Sequence, residues 1–236
     1  MLNANEVPSG GGNFPRAEPL EPGTYPARLV GIINLGTQAQ NDYMGEAKPP
    51  VMTMQTTYEL LDEFLKNDDG EDDEERPRWI SEDFPFYSLK SEKAKSTKRY
   101  LALDPDKEFE GDWTQLVDTP CMVTLSAKPS AKDKNIIYNN VTNVSAMRPK
   151  EALKAPELVN SPFLFDFYDP DMTVWAIIPK WTRDKIMRAV DFKGSLLETK
   201  LREAPSKNDD EDEAPKVVKN RGKKVTVDDE KGDGGW

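Results

Sequence analysis

Residues 25–35 read YPARLVGIINL, a run apolar enough to be buried along much of both faces of an extended strand. Pro26 has no amide hydrogen to give to a ladder, so the run begins at a sheet edge or at the opening of a strand. Downstream, residues 51–64 (VMTMQTTYELLDEF) alternate. Met52, Met54, Thr56, Tyr58 and Leu60 share one face, and Val51, Thr53, Gln55, Thr57 and Glu59 share the other. One side of this strand reads as core and the other as largely polar. Residues 79–89 (WISEDFPFYSL) read as a third strand, whose end Pro85 makes an edge or a bulge.

The period then changes. Residues 91–103 (SEKAKSTKRYLAL) favour a helix, with Ser91 as its N-cap and Asp104-Pro105 as its stop. A short turn or helix is expected around residues 112–117. Residues 121–127 (CMVTLSA) and 136–147 (IIYNNVTNVSAM) follow as a hairpin around a lysine-bearing loop, 128–135. Three strands, a helix and two strands is the element order of the OB-fold. The expected class is therefore all-β with minor helices: a five-stranded Greek-key barrel with its helix between strands three and four. Farther on, residues 163–168 (FLFDFY) precede 179–190 (PKWTRDKIMRAV), an amphipathic helix with Pro179 in its first turn. Trp181, Ile186 and Val190 are its expected apolar face, packing on the barrel or in a subunit contact. The implied organisation is a flexible arm at 1–20, a barrel domain at 21–150, an extension at 151–202, and a disordered acidic tail at 203–236.

Composition removes several classes of function. The 236 residues contain no histidine and one cysteine, which excludes an internal disulfide, a Cys/His zinc site and a histidine-dependent triad. No 18 apolar residues run together, and the opening MLNANEVPSGGGN lacks a basic-then-apolar signal pattern, so a soluble intracellular protein is expected. The formal net charge of −11 is concentrated in patches. Residues 62–75 hold nine acids and one base, and residues 203–236 hold ten acids and seven bases. The remainder is neutral as a whole, and within it residues 90–99 carry five bases and one acid.

That basic run is the first candidate site. Lys90, Lys93, Lys95, Lys98 and Arg99 lie in sequence beside Trp79, Phe84, Phe86, Tyr87 and Tyr100. Single-stranded nucleic acid is held by cations along the phosphates and aromatic platforms under the bases. A solvated helix face beside ordinary core aromatics has the same composition. The second candidate is the hairpin loop with Lys128, Lys132, Lys134 and Tyr138. In OB-folds the equivalent loop and the strand two–three face line the ligand groove; a solvated hairpin tip is the alternative. Residues 68–75 (DDGEDDEE) lack the alternating ligands of an EF-hand and read as a charged hairpin tip, so no metal or cofactor is expected. Asp62 and Glu63 make no acid–base dyad, and no Gly-rich phosphate loop is present, so catalysis has no visible carrier. In the tail, Asp228, Asp229, Glu230, Asp233 and Trp236 form an acidic, aromatic-tipped end suited to an apolar pocket with a basic rim. A solubilising tail is the alternative.

The runs YPARLVGIINLGTQ, KPPVMTMQTTYELLDEF, PRWISEDFPFYSL and KSEKAKSTKRYLALD resemble the single-stranded DNA-binding proteins of tailed bacteriophages, including those of T7-like and related phages. The resemblance covers roughly residues 20–190. It implies an OB-fold protein that coats single-stranded DNA in phage replication and recombination, in the cytoplasm of the infected host. It also implies a tail that contacts the phage polymerase and helicase-primase and, in some members, dimerisation. This chain departs from the better-known tails in ending on Trp236 rather than phenylalanine, and in the basic interruption 216–224. A different class remains open: an acidic interaction protein that mimics DNA as a decoy for a host DNA-binding enzyme.

Overall fold

In the computed structural model, which describes residues 17–42, 44–131 and 133–203, the organising element is β1, Gly23–Gln38. The strands β2 (Val51–Lys66), β3 (Asp72–Pro85), β4 (Pro120–Pro129) and β5 (Ile137–Ala146) join it in an antiparallel sheet of order β3-β2-β1-β4-β5. The helix α1, Lys95–Leu103, lies between β3 and β4, as expected, and a single 3-10 turn follows at Trp113–Leu116. The sheet is open. β3 and β5 approach one another without a hydrogen-bonded ladder, and α1 touches both.

A change of register in β1 explains why both its faces are buried. Leu29 pairs with Tyr58 but Gly31 pairs with Thr57, so one residue is bulged out and the in–out parity inverts. Before the bulge Ala27 and Leu29 face the first core, with Tyr58, Leu60, Phe84, Tyr100, Trp113, Leu116, Val123 and Leu125. After it Ile32 joins that core, while Ile33 and Leu35 feed a second one. Pro26 stands one residue before the β2 ladder begins at Ala27, so its missing N–H costs no bond to β2.

The second core is built by the C-terminal extension. After α2, Pro149–Ala152, the short strand β6, Phe163–Phe165, pairs in parallel with Gly31–Ile33 of β1. Then come α3 (Met172–Ile177), α4 (Lys180–Met187) and α5 (Leu196–Glu203). Phe165, Phe167, Trp175, Ile178, Ile186 and Leu197 close over Ile33 and Leu35. Each such side chain contributes about 1.5–3 kcal/mol of burial.

Three details differ from the sequence reading. The third strand begins at Asp72 rather than near Trp79: Lys66 and Leu65 extend the ladder to Asp72 and Asp73, and Lys66 Nζ pairs with Asp72 Oδ1 at 2.8 Å. Half of the acidic run is therefore strand, and only Asn67–Gly70 turns. The first helix starts at Lys95, not Ser91, because residues 88–94 are spent in two consecutive turns. On α4 the buried side is Thr182 and Ile186, continued by Ala189. Trp181 and Val190 stand one residue off that seam, 56% and 59% exposed. The extension does pack on the sheet, one of the two expected placements. Among the described residues no helix is long and apolar enough to cross a membrane.

Two outcomes are expected. A Cβ at Gly31 would clash with the Cζ end of the Phe163 ring, so Gly31→Ala should lower unfolding free energy by about 1–3 kcal/mol in urea titration. Cys121 is fully buried, and burial pushes its thiol up to about 12. A thiol reagent at pH 8 should therefore label it only when urea unfolds the chain.

Candidate nucleic-acid interface

On α1, positions 96, 100 and 103 face the core, while Lys95 and Arg99, four apart, project together toward β3. There they meet Glu82, which is buried. Arg99 donates from Nε to Glu82 Oε1 (2.6 Å) and from a terminal nitrogen to Oε2 (3.2 Å), and Lys95 Nζ reaches Oε2 at 2.6 Å. Tyr58 Oη also donates to Glu82 Oε1 (3.3 Å), and Arg99 donates across to the Thr142 carbonyl of β5 (3.3 Å). This cluster bridges the open seam between β3 and β5. Arg99 is thereby removed from the list of phosphate contacts, because a guanidinium whose charge is spent on a buried carboxylate cannot also face solvent. Lys95 keeps part of its surface exposed but is paired.

The aromatic candidates divide in the same way. Phe84 and Tyr100 are fully enclosed and pack on Trp113, with ring centroids 5.9 and 5.6 Å away. They are core and cannot stack on bases. Tyr100 also organises the loop after α1: its hydroxyl accepts from Gly111 N (2.7 Å) and donates to Asp104 Oδ2 (3.0 Å). Burial alone would raise Asp104, but the N–H groups of Phe109 and Glu108 and the Tyr100 hydroxyl together hold it below the ordinary carboxylate range. Tyr87, by contrast, is 41% exposed and Phe86 is half-buried. The two line a cleft of about 270 Å³ with Met52, Ser88, Leu89, Gly111 and Trp113. The loop carrying Tyr87 is clasped by α1, since Tyr87 N donates to Ser96 Oγ (3.1 Å) and Thr97 Oγ1 to the Ser88 carbonyl (3.4 Å).

Lys90, which follows the lining residue Leu89, and Lys93 and Lys98 farther along the same segment are exposed and form no ion pair with the described residues. Glu110 and Asp112, both exposed, flank Gly111 of the cleft lining. Trp113 was missed from the sequence because no basic cluster adjoins it. Its part in the site comes from the turn that brings Asp112–Leu116 back under α1.

The two basic candidates do not converge. Lys128 pairs with Tyr138 near the tip of the β4–β5 hairpin, beyond the Gly23–Leu125 pair at the start of β1. The Tyr87 cleft lies at the other end, where Phe86 N donates to the Met52 carbonyl and Met52 pairs with Thr37. Fourteen residues of β1 separate these ends, up to about 46 Å of strand. Lys128, Lys134 and Tyr138 are exposed at their tip. Lys132 and the tail residues Asp228, Asp229, Glu230, Asp233 and Trp236 lie outside the described residues.

The outer face of β2, part of the groove expected from OB-folds, is covered. Thr53, Gln55, Thr57 and Glu59 are all buried there. The Glu59 carboxylate accepts from Trp79 Nε1 (2.9 Å), Val159 N (2.7 Å) and Asn160 Nδ2 (2.7 Å), and Trp79 packs on Phe163 at 5.7 Å. Farther along, Thr182 Oγ1 donates to Gln55 Oε1 (3.4 Å) and Lys185 Nζ to Asp83 Oδ2 (2.6 Å). Trp79 is therefore a fastening for the extension rather than a platform for a base.

Comparisons with protein-family models, curated proteins and solved structures return no match.

Arg99 and Lys98 adjoin in sequence yet should behave oppositely. Arg99→Ala leaves the buried Glu82 short of its main partner and should cost about 3–5 kcal/mol of stability in denaturant titration. Lys98→Ala should leave the unfolding midpoint unchanged.

Proposed function

We propose that this chain is a non-enzymatic protein that coats single-stranded DNA with little sequence preference, in phage DNA replication and recombination. The observation that carries it is the aromatic cleft around Tyr87, with Lys90, Lys93 and Lys98 on the adjoining segment exposed and without an ion pair among the described residues. A base stacking on Tyr87 would leave its phosphates on the side of Lys90, Lys93 and Lys98, the arrangement that sequence-tolerant binding requires. The strand order, with a helix between β3 and β4, supports reading the sheet as an OB-fold whose β3–β5 gap is closed by α1 and the Glu82 cluster. The sequence resemblance over roughly residues 20–190 points the same way. On this reading the acidic tail recruits the phage polymerase and helicase-primase, the protein works in the host cytoplasm, and two copies can pair.

The second reading, a DNA-mimic decoy, is favoured by the acids of the β2–β3 hairpin, where Asp68, Asp69, Glu71, Asp72, Glu74 and Glu75 are exposed at one end of the sheet. Binding of a labelled dT oligonucleotide, followed by fluorescence anisotropy across a salt series, separates the two. Coating predicts salt-sensitive binding that Tyr87→Ala weakens by about 1–3 kcal/mol at any sequence. Alanine at Lys90, Lys93 and Lys98 should lower the salt slope by about 0.7 per residue. No binding by the full chain at low salt would discard coating and favour the decoy.

A further inference from the structure

We propose that α4 forms a second strip of the single-stranded DNA surface, with Trp181 as a stacking platform and Lys180 and Arg188 as phosphate contacts. The inference rests on the coating reading and extends it to residues outside the Tyr87 cleft. Residues 180–188 (KWTRDKIMR) hold four bases and one acid in a chain whose net charge is −11. Thr182 and Ile186 turn inward, so Lys180, Trp181, Asp184, Met187 and Arg188 face solvent. Trp181 is 56% exposed and has no ring partner among the described residues. Lys180 makes no ion pair there, and Arg188 makes only an Nε bond to the Asp184 carbonyl (3.1 Å). An indole left in water on a helix face with Lys180 and Arg188, neither ion-paired among the described residues, is poor core and good base platform.

Position strengthens the argument. α4 lies over the outer face of β2 and β3, tied down by Thr182 to Gln55 and by Lys185 to Asp83, so it presents the outward surface where those strands otherwise would. It is also at the same end of the sheet as the Tyr87 cleft. Asp83 precedes Tyr87 by four residues, about 13 Å of strand at most. Past the helix end, Val190 N donates to the Thr37 carbonyl, and Thr37 pairs with Met52, which lines the cleft. A single strand passing from Tyr87 to α4 would round the end of β2, since Met52 lines the cleft on one face of that strand and Gln55 meets Thr182 on the other. A second copy of the chain is the weaker occupant, because interface centres are depleted of charge and this face alternates Lys180, Asp184 and Arg188 around its indole.

The test uses the full chain and a labelled dT oligonucleotide. Trp181→Ala should weaken binding roughly 5- to 150-fold, with Trp181→Phe recovering most of the loss. The Lys180→Ala/Arg188→Ala pair should lower the salt slope by about 1.4. Photocrosslinking of the unaltered chain to an iododeoxyuridine oligonucleotide should give an adduct at Trp181, a readout that needs no variant. Binding by the unaltered chain that Trp181→Ala leaves unchanged would overturn the α4 strip while coating stands. So would adducts confined to Tyr87, or a loss of dimer in sedimentation without loss of DNA affinity. Absence of binding by the unaltered chain overturns both readings together.

Discussion

A strand with apolar side chains for both of its faces cannot stay in a one-layer sheet, and β1 is such a strand. The bulge at Val30 lets odd-numbered residues serve the first core before it and the second core after it, so Leu29 and Leu35 end on opposite sides. Leaving Ile33 and Leu35 in water would forfeit several kcal/mol. Residues 163–203 supply the missing layer. Most of what distinguishes the molecule from a bare five-stranded sheet follows from this requirement.

One consequence concerns polarity. The outer face of β2 carries Thr53, Gln55, Thr57 and Glu59, a composition that suits water, yet the extension buries all four. The layer demanded by β1 is wide enough to reach its neighbour. Each polar group then needs a partner: the sheet serves Thr53 and Thr57 through the Val51 carbonyl and Ser81, and the extension provides Val159 N and Asn160 for Glu59, Thr182 for Gln55, and Lys185 for Asp83, across the ladder from Gln55. Hydrogen bonds that satisfy buried acceptors avoid a penalty more than they add stability. Their effect is to set where α4 lies, and so which of its side chains look outward.

The second constraint is at the seam. β3 and β5 do not share a ladder, and the gap is spanned by α1 through Glu82, Arg99, Lys95 and the Thr142 carbonyl. A buried carboxylate meeting two cations and a tyrosine hydroxyl is directional in a way that apolar packing is not, and it holds the helix at one azimuth. That azimuth turns Lys98 outward and clasps the Tyr87 loop through Ser96 and Thr97. Structural and candidate binding cations are thus neighbours in sequence and separated only by the turn of a helix.

Element types and their order were legible from local pattern: the alternation in 51–64, the change of period near Ser91, and the hairpin around residue 130 each translate into backbone geometry without reference to distant residues. The apolar surplus of 25–35 even announced a strand buried on both faces. The roles of individual side chains were not legible, because composition cannot say which rings enclose which. Phe84, Tyr100 and Arg99 carry the same residue types as a nucleic-acid groove and are core. Trp113 and Trp181, assigned no binding role by their neighbours in sequence, border the candidate surfaces. Sequence could not tell that the two lysine groups lie apart, because strand register, which places them at opposite ends of β1, is a long-range property. Sequence alone determined the strands, the helix and the two-faced β1. Tertiary structure decided which face of β2 is covered, through contacts between residues a hundred or more positions apart, and which cations of α1 are ion-paired among the described residues, because Glu82 meets Lys95 and Arg99 only when α1 folds back on β3.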